Sequence, residues 1–540
     1  MLLLAILAAL LLDFCFPVAG PMPWWHGWLA WVALVPLLFA LLSEGAARHP
    51  HYLRRAGITG YLCGLVWYIL NCYWIYQTML YYGHVPPFGS AGIVVLFSAV
   101  LGLYFGAFGL VLAFFRRRWG TVPALALAPF LWVALELAAA RITSVPWDQL
   151  GYSQIDNLWL TRLAPWTGVY GISFVLLTGN ALLLAIWLVP ARTRRLIQAV
   201  FVFVMLAMLI ATWRENSPVP APTSDYAVLL QPNIDVATND NWQGPEWDGS
   251  VPWLIDQARA TCTPAFPGTP VPDTAPPDGT CPENTPPPGV IVWPEVGSWF
   301  QSDDPRTLAV VRTVATAAHA PFIAGMFGHD ATGTYNSALF IDPDGATAGR
   351  YDKIHLVPFG EFVPYRSLFF FAKKLTHQLV DLQRGHQRNV FRVNGHTFGV
   401  FICYESVFAD EVRLFAKNGA QVLVNISDDG WYGDTSAPWQ HLNMARMRAI
   451  ENDRWLLRDT NNGVTTAIDP AGRVTFSAPR HTLTSLVARY GYQSRLTFYT
   501  RYGDVFAYFC CVVCVLAIIL GLLPAGRSAD DRISPSASAV

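Results

Sequence analysis

Charge is what this sequence has least of. Asp, Glu, Lys and Arg make up only 14% of its 540 residues, with 36 basic side chains against 37 acidic ones and a formal net charge of −1. No basic stripe supplies the phosphate attraction on which nucleic-acid binding depends, which excludes DNA and RNA as partners. Residues 1 to 213 and 505 to 524 form apolar runs that few ionisable groups interrupt, Asp13 and Glu136 being the clearest. That is poor material for an ion or substrate path and argues against a transporter with an appended domain. The opening run, Leu2 to Phe16, has no Lys or Arg ahead of it. It therefore lacks the charged n-region of a signal peptide and reads as a short first spanning helix.

What fills the chain instead is apolar: 53% of it is hydrophobic, with 21 Trp and 32 Phe, well above ordinary soluble domains. Runs near the ~20 residues needed to cross hydrocarbon lie at 24 to 42, 57 to 81, 90 to 115, 121 to 140, 168 to 190 and 195 to 213, with one more at 505 to 524. Basic residues cluster in every second loop: Arg48, Arg54 and Arg55, then Arg116, Arg117 and Arg118, then Arg192, Arg194 and Arg195. Short cytoplasmic loops hold the Lys/Arg excess, so these loops face inward, and the Tyr82 to Gly89 turn and the segment Arg141 to Thr167 face outward. The reading is a seven-helix membrane domain over 1–213, an outer globular domain over 214–504, a final helix over 505–524 and a disordered inner tail over 525–540, eight crossings in all.

Of the nine cysteines, Cys15, Cys63, Cys72, Cys510, Cys511 and Cys514 fall in apolar spans, where Cys behaves as a small hydrophobe. Cys262 and Cys281 bracket the Pro-rich stretch Pro264 to Pro288 on the outer side, where a disulfide can form; two free thiols are the other reading. The segment 261–289 interrupts the α/β rhythm and reads as an insertion or lid. Around it, β-rich runs are predicted at Tyr226 to Gln231, Gly289 to Trp293, Phe322 to Met326, Tyr335 to Ile341, Thr397 to Cys403, Gln421 to Asn425 and Trp455 to Arg458. Helices are predicted at Leu308 to Ala318, Asp410 to Lys417 and Trp439 to Glu451, and tight turns at Asp342-Pro343-Asp344-Gly345 and Asp469-Pro470-Ala471-Gly472. A mixed sheet packed by helices follows.

Three polar side chains close apolar runs. Glu295 ends Val290-Ile291-Val292-Trp293-Pro294-Glu295, Lys353 lies in Arg350-Tyr351-Asp352-Lys353-Ile354-His355, and Cys403 ends Phe398-Gly399-Val400-Phe401-Ile402-Cys403. Strand ends converge at one edge of a sheet, so the three can meet despite their separation. A thiol is only slightly ionised near neutrality and needs a base, for which Glu295 is the candidate. Attack on an ester or amide carbonyl places charge on oxygen, which a fixed ammonium such as Lys353 stabilises. Taken singly, a Glu after Trp-Pro is a turn residue, a Lys is solvated and a strand-end Cys is inert core. Only the set points to chemistry.

Trp293-Pro294-Glu295, Lys353 and Cys403-Tyr404-Glu405 resemble the Glu-Lys-Cys signature of the nitrilase (carbon-nitrogen hydrolase) superfamily. His355-Leu356-Val357-Pro358-Phe359-Gly360-Glu361-Phe362-Val363-Pro364, Pro438-Trp439-Gln440-His441 followed by Met444 to Ala449, and Thr460-Asn461-Asn462-Gly463 are similar to the bacterial apolipoprotein N-acyltransferases. So are Pro146-Trp147, Leu150-Gly151-Tyr152 and Gly168-Val169-Tyr170-Gly171 in the membrane part. The resemblance implies a nitrilase-like αββα sandwich beside the helical membrane domain. It implies transfer of an acyl chain from a phospholipid onto Cys403 as a thioester, then onto the α-amine of the diacylglyceryl cysteine that begins an apolipoprotein. By the same matching Glu295 is the base, Lys353 stabilises the tetrahedral intermediate, Glu361 is a second carboxylate, and Tyr404 and Glu405 border the nucleophile. Trp242 matches a gating loop residue, while Trp431 and Tyr432 are aromatic candidates for the lipid path, since amphipathic rings favour the headgroup zone. No cofactor or metal is called for. The chain is read as a monomer in the bacterial inner membrane with its catalytic domain on the periplasmic side.

The departures are Asp428 in place of Asn, Gly430 in place of Ala, Tyr432 in place of Phe, Asn452-Asp453 before Arg454 in place of Gly-Arg, and the Pro-rich insertion. They place acyl-chain or headgroup preference in question. His377, His386 and His396 invite a metal reading, but their spacing fits no single helical face. The remaining rival is a membrane-tethered amidase or hydrolase, in which water resolves the thioester.

Overall fold

The computed structural model describes residues 1–212, 221–234, 236, 287–295, 300–362 and 382–524. Trp242, Cys262, Cys281, His377, most of the Pro-rich insertion and the 525–540 tail lie outside the described residues.

Four described helices are each long and apolar enough to cross a membrane: Pro87–Trp119, Thr121–Thr143, Val169–Leu188 and Val505–Leu522. A fifth span is a bent pair, Tyr52–Asn71 and Trp74–Tyr82, whose axes differ by 51°. The expected helix over 57 to 81 is therefore longer and broken. The expected span at 24 to 42 is also in pieces, His26–Leu29 and Val35–Leu42. Pro36 stands in the first turn of the second piece, the place in a helix where a residue without N–H is tolerated. Leu2–Asp13 has only 12 residues, and Ala191–Ala211 is a further 21-residue helix.

Loops at the two ends of this bundle behave differently. At one end Arg116 donates to Leu42 O and Arg118 to Leu523 O, each at 2.8 Å. At the other, Thr78, Trp147 and Asp156 bond to residues of the outer domain. The loops poor in basic residues are the ones that meet that domain.

The outer domain consists of two six-stranded sheets, as the αββα sandwich expected from the resemblance requires, where the run pattern by itself gave a mixed sheet packed by helices. The first has the order β12-β1-β2-β3-β4-β5, from β1 (Asp225–Gln231), β2 (Val290–Trp293), β3 (Phe322–Asp330), β4 (Gly333–Ile341), β5 (Thr347–Asp352) and β12 (Thr484–Tyr490). The second has the order β11-β10-β9-β8-β7-β6, from β6 (Val390–Val393), β7 (His396–Ile402), β8 (Val422–Ser427), β9 (Trp455–Thr460), β10 (Thr466–Ile468) and β11 (Val474–Ser477). Both anticipated Pro-Gly turns link antiparallel neighbours, β4 to β5 and β10 to β11.

Two-residue periodicity sorts each strand between two cores. On β1, Ala227 and Leu229 join the core shared with the second sheet, while Val228 and Leu230 pack with Val311, Val314 and Ala315 of the helix Pro305–Ala318. That helix is capped by Asp304, whose side chain accepts from Arg306 N at 2.9 Å. Helices Ala409–Lys417 and Ala437–Asn452 cover the second sheet and complete an αββα sandwich. The longer one ends on Asp453 in the left-handed region, φ 53°. This is where glycine costs least, which accounts for the Gly expected there; Asp453 is held by Arg495 at 2.7 Å.

Candidate active site

The site lies where strand ends of the two sheets face one another, and not along the edge of one sheet as expected. β2 and β5 run parallel within the first sheet, each separated from β4 by an antiparallel step, so their C-terminal ends share an edge. Glu295 follows β2 and Lys353 follows β5. Pro294 has no N–H to continue the ladder, and Gly325 on β3 gives the turning chain room: a Cβ there would stand 2.2 Å from Pro294 O. From the second sheet, β7 delivers Cys403 and β8 delivers Asp428.

Lys353 is 1% exposed. Its Nζ lies 3.2 Å from Glu295 Oε1 and 2.8 Å from Glu361 Oε1. Asn336 Nδ2, on the neighbouring strand β4, donates to the same two oxygens at 2.5 and 2.8 Å. The remaining carboxylate oxygens accept from backbone: Glu295 Oε2 from Asp428 N at 2.9 Å and Glu361 Oε2 from Val357 N at 2.7 Å. Burial alone would lower the lysine, but the charges of Glu295 and then Glu361 hold it well above its ordinary value.

Cys403 ends the strand by turning left-handed, φ 48°, a conformation that costs an L-residue about 1–2 kcal/mol. A short 3-10 turn, Cys403–Val407, follows. Burial, then the Glu295 charge, push the thiol well above its ordinary pKa, with Lys353 opposing. A thiol shifted in that direction needs a base before it can act as a nucleophile. Glu405 faces away into the fold. It accepts from Ile354 N, His355 N, Ile402 N and the Tyr351 hydroxyl at 2.7 to 3.1 Å, tying the nucleophile turn to the lysine segment. Tyr404 reaches the membrane domain, its hydroxyl donating to Ser144 O at 2.9 Å. Tyr432 packs edge-on to Trp74 at 5.1 Å, and Trp431, partly exposed, edge-on to Tyr82 at 5.7 Å. These aromatics line the seam between the outer domain and the helix ends.

Three features escape the sequence reading. Asn336 is one; a polar residue early in an otherwise buried strand was the available signal. The second is a fully buried cluster of Asp429, His441 and Arg458 behind Cys403. Asp429 is held below the usual carboxylate range because Arg458 and His441 outweigh its burial. The third is the coupling of two departures, since a Cβ on Gly430 would stand 2.9 Å from Asp428 Oδ1. His386 is exposed and follows Gly385, whose N–H donates to Lys353 O at 2.8 Å, while His396 is stacked on Tyr492 at 3.5 Å. Among the described residues no group of three His, Cys, Asp or Glu is placed to hold a metal.

Comparison with known proteins matches residues 8–182 to the apolipoprotein N-acyltransferase N-terminal domain and residues 287–490 to the carbon-nitrogen hydrolase family. An apolipoprotein N-acyltransferase of Geobacter metallireducens is 32% identical over 522 residues, covering 94% of this chain and 92% of that one. The chain belongs to the apolipoprotein N-acyltransferase family. A relative of the same name from Methylococcus capsulatus is 31% identical over 513 residues, covering 93% of this chain and 92% of that one. Among solved structures, Saccharomyces cerevisiae Nit3 of the nitrilase superfamily matches with a TM-score of 0.35 at 16% identity, covering 50% of this chain and 92% of that one. The carbon-nitrogen hydrolase match ends at residue 490, and the membrane-domain match stops at residue 182, within the Val169–Leu188 helix.

Proposed function

We propose that this membrane acyltransferase moves an acyl chain from a phospholipid to the α-amine of the N-terminal diacylglyceryl cysteine of apolipoproteins, through a thioester on Cys403. The observation that carries this reading is the meeting of Glu295, Lys353 and Cys403 at facing strand ends, with Lys353 clamped between two carboxylates.

Glu295 takes the thiol proton as sulfur attacks the ester carbonyl, and the Lys353 ammonium stabilises the oxyanion. Collapse breaks the carbon–oxygen bond, and the departing lysophospholipid oxygen takes the proton from Glu295. The acceptor amine then attacks the thioester and gives its proton to Glu295. Collapse breaks the carbon–sulfur bond, the sulfur regains the proton, and an amide remains. One pocket thus serves two bulky lipids in turn.

Eight crossings, with 214–504 on the periplasmic side of the bacterial inner membrane, agree with the loops: those meeting the catalytic domain are poor in basic residues, and Arg116 and Arg118 lie at the opposite end. A monomer contains every group that the scheme uses.

Replacing Cys403 by Ala is expected to lower palmitate transfer from labelled phospholipid to a diacylated lipopeptide by roughly a thousand-fold or more. Intact-protein mass after incubation with phospholipid alone is expected to show one acyl adduct on the wild type and none on the variant. Transfer that persists in the variant would sink the mechanism.

A further inference from the structure

His441 is 0% exposed and touches the nucleophile turn directly. Its Nε2 lies 3.1 Å from the backbone oxygen of Cys403 and 2.6 Å from Ser406 Oγ. On the far side of the ring, Nδ1 lies 3.0 Å from Arg458 Nη2 and 3.0 Å from Asp429 Oδ1. Burial, and then the Arg458 charge, lower its pKa, with Asp429 opposing. A guanidinium can only donate and a carbonyl can only accept. The carbonyl contact calls for a proton on Nε2, directed at Cys403 O, while Nδ1 faces both Arg458 Nη2 and Asp429 Oδ1. Asp429 completes the set by neutralising Arg458 at 2.6 Å, while its other oxygen accepts from Ser427 at 2.8 Å.

Pinning that carbonyl has a consequence for the next amide. A trans peptide is planar, with C=O and N–H pointing in opposite directions. A Cys403 carbonyl held toward His441 therefore aims the Tyr404 N–H away from it, and the left-handed turn at Cys403 is kept against its own strain.

We propose that His441 is a positioning residue, which holds the Cys403 carbonyl so that the Tyr404 N–H is presented to the oxyanion in both half-reactions. The proposal rests on the thioester chemistry at Cys403 but not on the identity of the acyl donor. It predicts a defect confined to reactions that pass through an oxyanion.

The test compares His441→Leu, which removes the bond to the carbonyl, with His441→Gln, whose amide N–H can reach the same place. Two probes are used on the full-length protein in detergent: p-nitrophenyl butyrate, which acylates Cys403 through a tetrahedral oxyanion, and iodoacetamide, which alkylates the same thiol without one. His441→Leu is expected to slow acylation about 100-fold, the scale of losing one oxyanion donor, with the apparent KM and the alkylation rate each within about three-fold of wild type. His441→Gln is expected to recover at least about ten-fold of that loss. Equal slowing of acylation and alkylation in both variants would mean general disruption of the turn and overturn the proposal, as would acylation at the wild-type rate in His441→Leu. If the wild type reacts with the ester but not with phospholipid, the failure belongs to the donor reading, and the comparison of variants still decides the role of His441.

Discussion

Lys353 is stable as a buried ammonium because each oxygen facing it is itself engaged: Glu295 and Glu361 both accept from Asn336 and from a backbone N–H. Removing one member of such a set leaves uncompensated charge in a dry site, at a cost of about 3–5 kcal/mol. Lys353→Met is therefore expected to abolish transfer and to lower the unfolding midpoint in detergent at pH 7. Asp428 makes a prediction of opposite sign. Burial, then the nearby Glu295 charge, raise its pKa well above the ordinary carboxyl value, so the folded chain takes up a proton that the unfolded chain has released. Stability from this group is fully present below the unfolded pKa of about 3.9 and is lost as pH rises toward the folded pKa. Asp428→Asn, whose amide oxygen can still accept from Gly430 N and Asn461, is expected to match the wild type at pH 4 and to gain up to about 1.4 kcal/mol per pH unit above it. Thermal midpoints at pH 4, 6 and 8 check this. Glu295 and Cys403 were legible as candidates because each ends an apolar run, whereas Lys353, in the polar stretch Arg350 to His355, stood out only as one of a set. Asn336 was not legible, since its partners lie 41 and 25 residues away and only strand pairing brings them together.

At the level of elements, legibility followed burial. Runs buried on both faces, such as β2, β7 and β8, were evident as continuous apolar stretches. The polar β5 and β11, and the short β6 and β10, were not, because their positions depend on pairing partners and not on their own pattern. The same holds for the bent span: Asn71 ends its first half, and its carbonyl accepts at 3.2 Å from Gln440, a residue 369 positions away. Helices Tyr52–Asn71 and Pro87–Trp119 approach through glycine faces. A Cβ on Gly109 would stand 2.3 Å from Ala56 O, and one on Gly60 would stand 2.2 Å from Phe105 O. Small residues at a membrane interface allow this approach. Gly109→Ala is expected to cost about 1–3 kcal/mol by forcing the backbones apart. Gly92→Ala on the same helix, where a Cβ meets nothing within 4 Å, is expected to be neutral or slightly stabilising. Unfolding midpoints of the two variants in one detergent give the comparison.

Across the whole molecule, the motifs shared by the membrane part and the catalytic part prove to be two halves of one joint. Trp147 donates to Gln440 at 2.9 Å, and Gln440 donates in turn to Pro17 O and to Asn71. Tyr152 accepts from Arg448 at 2.9 Å, and Val169 N donates to Glu451 at 3.1 Å. Arg141 is bonded to both Asp410 and Asp504. The helix Ala437–Asn452 thus carries His441 toward the Cys403 turn and Gln440, Arg448 and Glu451 toward the bundle, so one element ties that turn to the helix ends. If that is the purpose of the joint, loosening it should harm reactions with a bilayer substrate more than reactions with a soluble one. Gln440→Leu keeps the volume and removes the bonds to Trp147, Pro17 and Asn71. Acylation of Cys403 by p-nitrophenyl butyrate is expected to stay within about three-fold of wild type, while acyl transfer from phospholipid in reconstituted vesicles falls roughly 100-fold, the scale of a misplacement near 1 Å. Parallel loss in both assays would instead place Gln440 in the chemistry itself, and no loss in either would show that the joint leaves the reaction untouched.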